Sequence, residues 1–302
     1  MIMEKKKLNV LVTGGNGQLG CALREASKDS PNRFVFTDIN GLPGKETVYL
    51  DATNPEAVAI ICDSEDIDVI VNCAAYTDVD KAEDDTAFAA VLNRDTVAGL
   101  AAIARARKAT LIHISTDYIF PGNGCTPIKE DAEPGPRSVY GATKLAGEKA
   151  VKDSGCNHII LRTAWMYSQY GHNFVKTMMH LTAERDSLKV VCDQAGTPTF
   201  ADDLAGFIVG IIDGGKLDRT GIYNFTDLGV ISWYDFSVAI RDLCGNVCDI
   251  IPCLSSEYPR KAARPNYSVL DKSLVQKVFG VKIPYWYDSL RKCIDQIRSN
   301  GN

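Results

Sequence analysis

Long apolar runs are missing from this 302-residue chain. No stretch approaches the about 18 or more apolar residues that a membrane-spanning helix needs. The basic opening, residues 1–7, has the character of a secretory leader's first region. The apolar stretch after it, residues 8–12, ends at Thr13, Gly14 and Gly15 and is too short for a secretory core. A cytoplasmic protein without a membrane partner is expected. An excess of positive charge is missing too: 33 Lys and Arg face 38 Asp and Glu, for a net charge of −5. No global field favours nucleic acid, so none is expected as a partner. CxxC pairs are missing among the ten cysteines, and the cluster Cys244, Cys248 and Cys253 lacks a nearby fourth Cys or His. The expectation is no metal, and buried, reduced thiols. Repeats and low-complexity tethers are also missing. With 45% apolar and 24% charged residues, disorder, collagen and coiled coil are excluded as the main architecture.

What is present is an alternation of short apolar runs and helical patterns. Strands are expected at residues 8–13, 33–37, 48–50, 69–73, 110–115 and 158–162. Helices are expected at 19–27, 54–62, 84–108 and 139–153, with Asn54 capping the second and Pro55 at its first position. Such alternation implies a parallel sheet covered on both faces. Beyond residue 162 the pattern loosens. Helices are expected at 173–185, 201–213, 233–244 and 272–279, strands at 188–191 and 221–225, and Pro-containing loops around 251–265. The reading is an α/β chain: a Rossmann-type doubly wound parallel sheet over residues 1–162, with segments near 188–225 returning to it. A smaller, interleaved substrate-binding domain occupies mainly residues 163–302.

Thr13-Gly14-Gly15-Asn16-Gly17-Gln18-Leu19-Gly20 lies between the first strand and the first helix. Glycines there permit a tight turn, close approach of a pyrophosphate and helix–strand packing. The helix N-terminus adds N–H donors and partial positive charge. Asp38, 18 residues after Gly20, follows the second strand, where an acid accepts from the adenosine ribose hydroxyls or simply sits in a solvated turn. No Lys or Arg directly follows Asp38, and Asn16 and Gln18 are neutral. Charge alone therefore favours NADH over NADPH, with Arg33 as a distant alternative partner.

Ser115-Thr116-Asp117 ends the fifth strand, and Tyr140-x-x-x-Lys144 opens the helix before the sixth. Ligands bind at the carboxyl ends of strands in open α/β sheets. Tyr140 and Lys144, four apart, share a helix face. An ammonium beside a phenol is expected to lower the phenol pKa toward working pH, where it serves as general acid. Thr116 is placed to add a hydroxyl hydrogen bond.

These motifs together resemble the extended short-chain dehydrogenase/reductases. Longer strings narrow the resemblance: Asn72 to Glu83, Ser115 to Phe120, Tyr140 to Glu148, Arg162 to Tyr167, Asp193 to Thr199, and Ala263-Arg264-Pro265. They are similar to the dTDP-4-dehydrorhamnose reductase family over almost the whole chain. The resemblance implies hydride transfer from NADPH or NADH to C4 of a 4-keto-6-deoxy sugar nucleotide. Tyr140 would protonate the oxygen, Lys144 would hold Tyr140 and the nicotinamide ribose, and Thr116 would polarise the ketone.

The resemblance further implies cofactor contacts from Gly14, Gly17, Gln18, Leu19, Gly20, Asp38, Asp51, Ala52, Cys73, Ala74 and Ala75. Asp117, Trp165 and Arg264 would contact substrate, and Asn93 would anchor a proton relay. Each also has a structural reading: Trp165 as core, Asp51 as a helix cap, Asp117 as a loop brace, Arg264 as half of an ion pair. Asn72 reads as strand-end glue, Tyr118 and Phe120 as packing, and Asp193 and Gln194 as loop hydrogen bonding. Some family members dimerise around magnesium through a Glu where this chain has Ala22, so a monomer or weak homodimer is expected. The competing functions are a sugar-nucleotide epimerase or dehydratase, or a regulator resembling the methionine adenosyltransferase β subunit. Asp117 is followed by Tyr118, not by the Glu that dehydratases typically carry.

Overall fold

In a computed structural model, which describes residues 6–299 and 301, side chains of successive strand residues alternate between two cores. Seven strands form the central sheet: β1 (Asn9–Thr13), β2 (Arg33–Asp38), β3 (Val48–Tyr49), β4 (Val69–Asn72), β5 (Thr110–Thr116), β6 (Asn157–Thr163) and, much later in the chain, Gly221–Asn224. The first five residues of the basic opening lie outside the described residues. All neighbouring pairs in this sheet are parallel. The spatial order is β3-β2-β1-β4-β5-β6 and then the Gly221–Asn224 strand. The order therefore reverses between β1 and β4, which opens a crevice at the carboxyl ends of those strands.

Val10, Val12, Val69, Val71, Ile112, Ile159 and Leu161 point to one face, while Leu11, Ile70, Leu111 and Ile160 point to the other. This is the two-residue period of a pleated strand. Helices α1 (Gln18–Ala26) and Ala201–Asp213 cover the first face through Leu19, Leu23, Leu204 and Ile208. Helices α2 (Pro55–Ser64), α3 (Thr86–Ala90), α4 (Thr96–Arg107) and α5 (Val139–Ser154) follow β3 in the chain. Of these, α2, α4 and α5 cover the second face through Val58, Val97, Leu100 and Val151. Full burial of such a side chain stabilises by about 1.5–3 kcal/mol. Asn54 caps α2 by accepting from the Glu56 and Ala57 amides, with Pro55 at the first position, as expected.

The helix expected at 84–108 carries a π turn, Val91–Asp95, between α3 and α4. The expectation that no stretch approaches a membrane span needs correction here, because the whole run Thr86–Arg107 is long and apolar enough, by length and composition only, to cross a membrane. Here α4 packs on the sheet through Val97, Leu100, Ala101 and Ala104, and the helical run carries exposed Arg94 and Asp95.

After β6 come β7 (Met166–Tyr167), α6 (Phe174–Glu184), β8 (Ser187–Val191), β9 (Ala195–Gly196), β10 (Thr199–Phe200), α7 (Ala201–Asp213), β11 (Gly221–Asn224), β12 (Ile231–Ser232), α8 (Trp233–Cys244), β13 (Asp249–Cys253), α9 (Ser273–Phe279) and α10 (Trp286–Ser299). A third core joins Tyr167, Val175, Met178, Phe236, Ile240, Ile250, Leu290 and Ile294. Within residues 188–225, α7 and β11 pack on or in the central sheet, whereas β8 pairs with β13. Two expectations need correction. The stretch 251–265 is not all loop, because its start belongs to β13, whose ladder partner among the described residues is β8. An edge strand tolerates Pro252. Helix α10 has no counterpart in the expected elements, although Trp286, Leu290, Cys293, Ile294 and Ile297 mark a buried stripe. Six cysteines are buried and free, but Cys125 and Cys192 are exposed, so the buried-thiol expectation does not cover them.

Candidate functional site

The loop between β1 and α1 is shaped by what a side chain would strike. Gly14 has φ +65°, and a Cβ there would stand 2.7 Å from the Ala74 nitrogen. Only glycine lets the loop lie against the end of β4. A Cβ on Gly20 would stand 2.4 Å from the Gly14 carbonyl oxygen, so glycine lets α1 start directly on the loop. Gly17 is the N-cap of α1 and contributes no side-chain cap, leaving the first N–H groups, those of Gln18 and Leu19 among them, free of side-chain acceptors. Ala74 and Ala75 keep the neighbouring strand end small. An open cradle with uncapped amides fits a dinucleotide pyrophosphate.

Asp38 accepts from the Asn16 amide at 3.1 Å and the Asn40 amide at 3.0 Å, so it braces the loop as well as facing it. Asp51 accepts from the Thr53 amide and hydroxyl at 2.9 and 2.7 Å, beside Ala52. It is therefore a turn brace, and the helix cap is Asn54. Gln18 turns across the crevice, where its Oε1 accepts from Ser168 at 2.9 Å and from Asn173 at 3.1 Å.

Arg24 is a residue that sequence reasoning missed. From α1 it donates to the Gly15 carbonyl, the Asn16 side chain and Thr47, and lies over the Phe36 ring at 4.2 Å. The expectation of a corner with no nearer cation than Arg33 is thereby corrected. The i+4 spacing of Gly20 and Arg24 on one helix was the available signal.

At the other end of the crevice, β5 delivers Thr116 and α5 delivers Tyr140. Ser138 caps α5 by accepting from the Gly141 amide at 3.1 Å. A Cβ on Gly141 would meet the Tyr118 carbonyl at 2.2 Å, so glycine lets the helix start against the turn after Thr116. The Tyr118 and Tyr140 rings meet edge-on at 5.5 Å. Thr116 Oγ1 donates to Asp117 Oδ1 at 3.0 Å. Burial pushes the Tyr140 phenol up to about 12, against a hydrogen bond with Thr116 that pulls it down.

The expected lowering of Tyr140 by Lys144 is not what the structure shows. Lys144 is buried and donates to the Ile114 carbonyl at 2.6 Å, and burial lowers its own pKa to about 8. Its charge acts on Cys73 and His113 instead. Burial nevertheless pushes the Cys73 thiol up to about 12. The reason is geometric: the ammonium is spent on a strand-end carbonyl.

Asn93 sits in the π turn, a feature frequent at functional sites. It accepts from the Tyr76 amide at 3.0 Å and donates to the Thr143 hydroxyl at 3.1 Å, which fixes α5 between Tyr140 and Lys144. Asn72 joins Thr13 and His113 across three strand ends at 2.7 and 3.2 Å. His113 is buried and held well below its usual pKa by desolvation, hence neutral.

Asp117 is 1% exposed, and burial raises its carboxyl to about 6 although Ser268, Thr116 and local amides oppose the rise. Trp165 stands at φ +47°, rare for a bulky residue, and stacks on Trp233 at 3.7 Å. It is partly exposed rather than full core. Arg264 forms an ion pair with Asp80 at 2.8 Å and lies 5.9 Å from the Tyr118 ring. Asp193 and Gln194 bond to Ser255, a loop role as expected. Among the described residues no group of three or more His, Cys, Asp or Glu is arranged to hold a metal ion.

Sheet order, glycine cradle and the Thr116, Tyr140 and Lys144 group define a dinucleotide-binding α/β protein of the short-chain dehydrogenase/reductase class. A family model described as RmlD substrate binding domain matches residues 8–299, and the chain belongs to that family. It is 37% identical over 301 residues to dTDP-4-dehydrorhamnose reductase of Escherichia coli K12, covering 96% of this chain and 98% of the relative. A crystal structure of a dTDP-4-dehydrorhamnose reductase from Clostridium acetobutylicum superposes with a TM-score of 0.90 at 40% identity, covering 96% of this chain and 100% of that one. The Bacillus anthracis dTDP-4-dehydrorhamnose reductase, solved in complex with NADP, gives 0.88 at 33% identity with the same coverage.

Proposed function

We propose that the protein reduces the 4-keto group of dTDP-6-deoxy-L-lyxo-4-hexulose to give dTDP-L-rhamnose. The observation that carries the reading is the convergence of Thr116, Tyr140 and Lys144 on the carboxyl end of β5, facing the same crevice as the Gly14 cradle. The reduced nicotinamide of NADPH or NADH supplies the hydride when bound. Gly14, Gly17, Gln18, Leu19, Gly20, Asp38, Asp51, Ala52, Cys73, Ala74 and Ala75 would hold that cofactor. Residues 1–162 serve mainly the cofactor, and residues 163–302 mainly the sugar nucleotide.

Thr116, its hydroxyl turned from Asp117 to the substrate, donates to the ketone oxygen and Tyr140 protonates it as charge develops, so that two donors converge where the oxyanion forms. Lys144 keeps positive charge beneath the site. Asp117 and Trp165 contact the sugar. Arg264, already paired with Asp80, supports Tyr118 and through it the Tyr140 ring. All these groups come from one chain, so a monomer or weak homodimer suffices. The substrate is a soluble metabolite, which supports a cytoplasmic reaction. The test is loss of reduced-nicotinamide absorbance when the sugar nucleotide is added; no loss with either cofactor would sink the reading.

Two further results are expected. The profile of kcat/KM against pH should be a bell set by the free enzyme. Asp117 is needed as a carboxylate, so activity falls as pH drops through about 6. Lys144 is needed charged, so activity falls as pH rises through about 8. Tyr140 stays protonated across the whole range and sets neither limb. Asp117→Asn should erase the acid limb; a limb that stays at the same pH would assign it elsewhere. Second, Arg24 offers the cation that a 2′-phosphate needs, while Asp38 serves a free ribose. Arg24→Ala should weaken NADPH binding about tenfold, the scale of a charge-assisted hydrogen bond, and leave NADH within about twofold. Equal losses in titrations with the two cofactors would remove Arg24 as the discriminator.

A further inference from the structure

Two buried polar atoms at the mouth of β5 lie side by side without a well-formed hydrogen bond. They are Asp117 Oδ2 and Ser268 Oγ. The residues are 1% and 2% exposed. Ser268 is close enough to hold the Asp117 carboxyl down against the effect of burial. Unpaired buried polar groups are costly and rare in native structures.

The surroundings are built, not incidental. The Ser268 amide donates to the Ala195 carbonyl at 2.8 Å, and the Ala195 amide donates to the Asn266 carbonyl at 2.7 Å. The strand end at Gly196 is thereby fixed beside Ser268. A Cβ on Gly196 would come within 3.0 Å of Ser268 Oγ and 2.6 Å of the Trp165 ring. Gly196, Ser268 and the strained Trp165 therefore share one corner with Asp117. Strain in a bulky residue at a ligand site is stored where the surrounding structure holds it.

A carboxylate oxygen accepts, and a serine hydroxyl donates or accepts. Their natural complement is another hydroxyl, which donates to the acid and accepts from the serine. Thr116, the neighbour of Asp117, faces the ketone oxygen in the proposed function, on which this inference rests. The hydroxyl concerned is then the one on the carbon next to the ketone. In a 4-keto-6-deoxy sugar, C5 carries a methyl group and the ring oxygen, so the hydroxyl-bearing neighbour of C4 is C3. We propose that Ser268, paired with Asp117, binds the C3 hydroxyl of the sugar and fixes which face of the ketone is presented.

The experiment compares wild type and Ser268→Ala on the natural sugar nucleotide and on its 3-deoxy analogue. With the natural substrate, KM should rise about tenfold in the variant, the upper end of a lost neutral hydrogen bond. The dissociation constant of NADPH should not move. The acid limb of the kcat/KM profile should shift to higher pH, because Asp117 loses a donor; a merely structural loss would not move it. With the 3-deoxy analogue the two proteins should perform equally. An unchanged KM, or an equal penalty with both substrates, overturns the assignment. Should Ser268→Ala fail to fold, the wild type alone decides, since it must prefer the 3-hydroxyl substrate by at least about tenfold. Turnover without that preference removes Ser268 from recognition and leaves the reductase reading standing. Absence of turnover by wild type on the natural substrate removes both.

Discussion

Tyr140→Phe should lower kcat by about 10²- to 10⁴-fold, the usual worth of a positioned general acid. The loss corresponds to about 3–5 kcal/mol of transition-state stabilisation. The phenylalanine keeps the ring and its edge-on contact with Tyr118 at 5.5 Å, so the start of α5 should not move. What disappears is the hydroxyl, and with it the proton that neutralises the developing alkoxide. Since the phenol is held up near 12, it is a full proton donor at neutral pH rather than a standing phenolate. Cofactor affinity should remain close to wild type, because the Gly14 cradle and Lys144 are untouched. Single-turnover kinetics with pre-bound NADPH separates binding from chemistry. Unchanged turnover would show that another group donates the proton.

The largest stability effect is expected from Glu148→Ala. Glu148 and Arg162 form a two-pronged ion pair at 2.8 and 2.9 Å, with side chains only 2% and 4% exposed. The pair ties α5, which carries Tyr140 and Lys144, to β6. Removing the acid leaves a buried guanidinium with the Glu130 carbonyl as its remaining acceptor and the Phe120 ring 5.1 Å away. Breaking such a pair costs about 3–5 kcal/mol. For a chain of this size that lowers Tm by roughly 5–8 °C. The double change Glu148→Leu, Arg162→Met should recover much of the loss, because two well-packed apolar groups replace two charges. A double variant no more stable than the single one would mean that the site's shape, and not the stranded charge, sets the penalty.

Much of the scaffold is legible in the order of residues alone. Asn54 and Pro55 announce α2, and the runs at 8–13 and 69–73 announce neighbouring strands, because cap chemistry and apolar runs are local properties. Helix α10 is equally local, with Trp286, Leu290 and Ile294 four apart, but its flanking charges mask the stripe. Strand β13 is hidden by Pro252, which is tolerated because the strand lies at an edge. Tyr140 and Lys144 are visible as a helical pair. Their electrostatic relation is not, since Lys144 bonds to the Ile114 carbonyl, 30 residues away. Arg24, His113 and Ser268 stay unmarked in the sequence for the same reason: each acquires meaning only from a distant neighbour.

By itself the sequence determined the alternation of strand and helix, the glycine cradle and the pairing of Tyr140 with Lys144 on one helix. Each of these follows from properties carried within a few residues: side-chain period, the freedom of glycine, the chemistry of a phenol and an ammonium. Only the tertiary structure decided which charges meet, how deeply they are buried and therefore how they titrate. It also brought residues 195–196 and 265–268 to the end of β5, where Asp117 lies. Burial and pairing depend on the whole sheet order, and no window of sequence contains that.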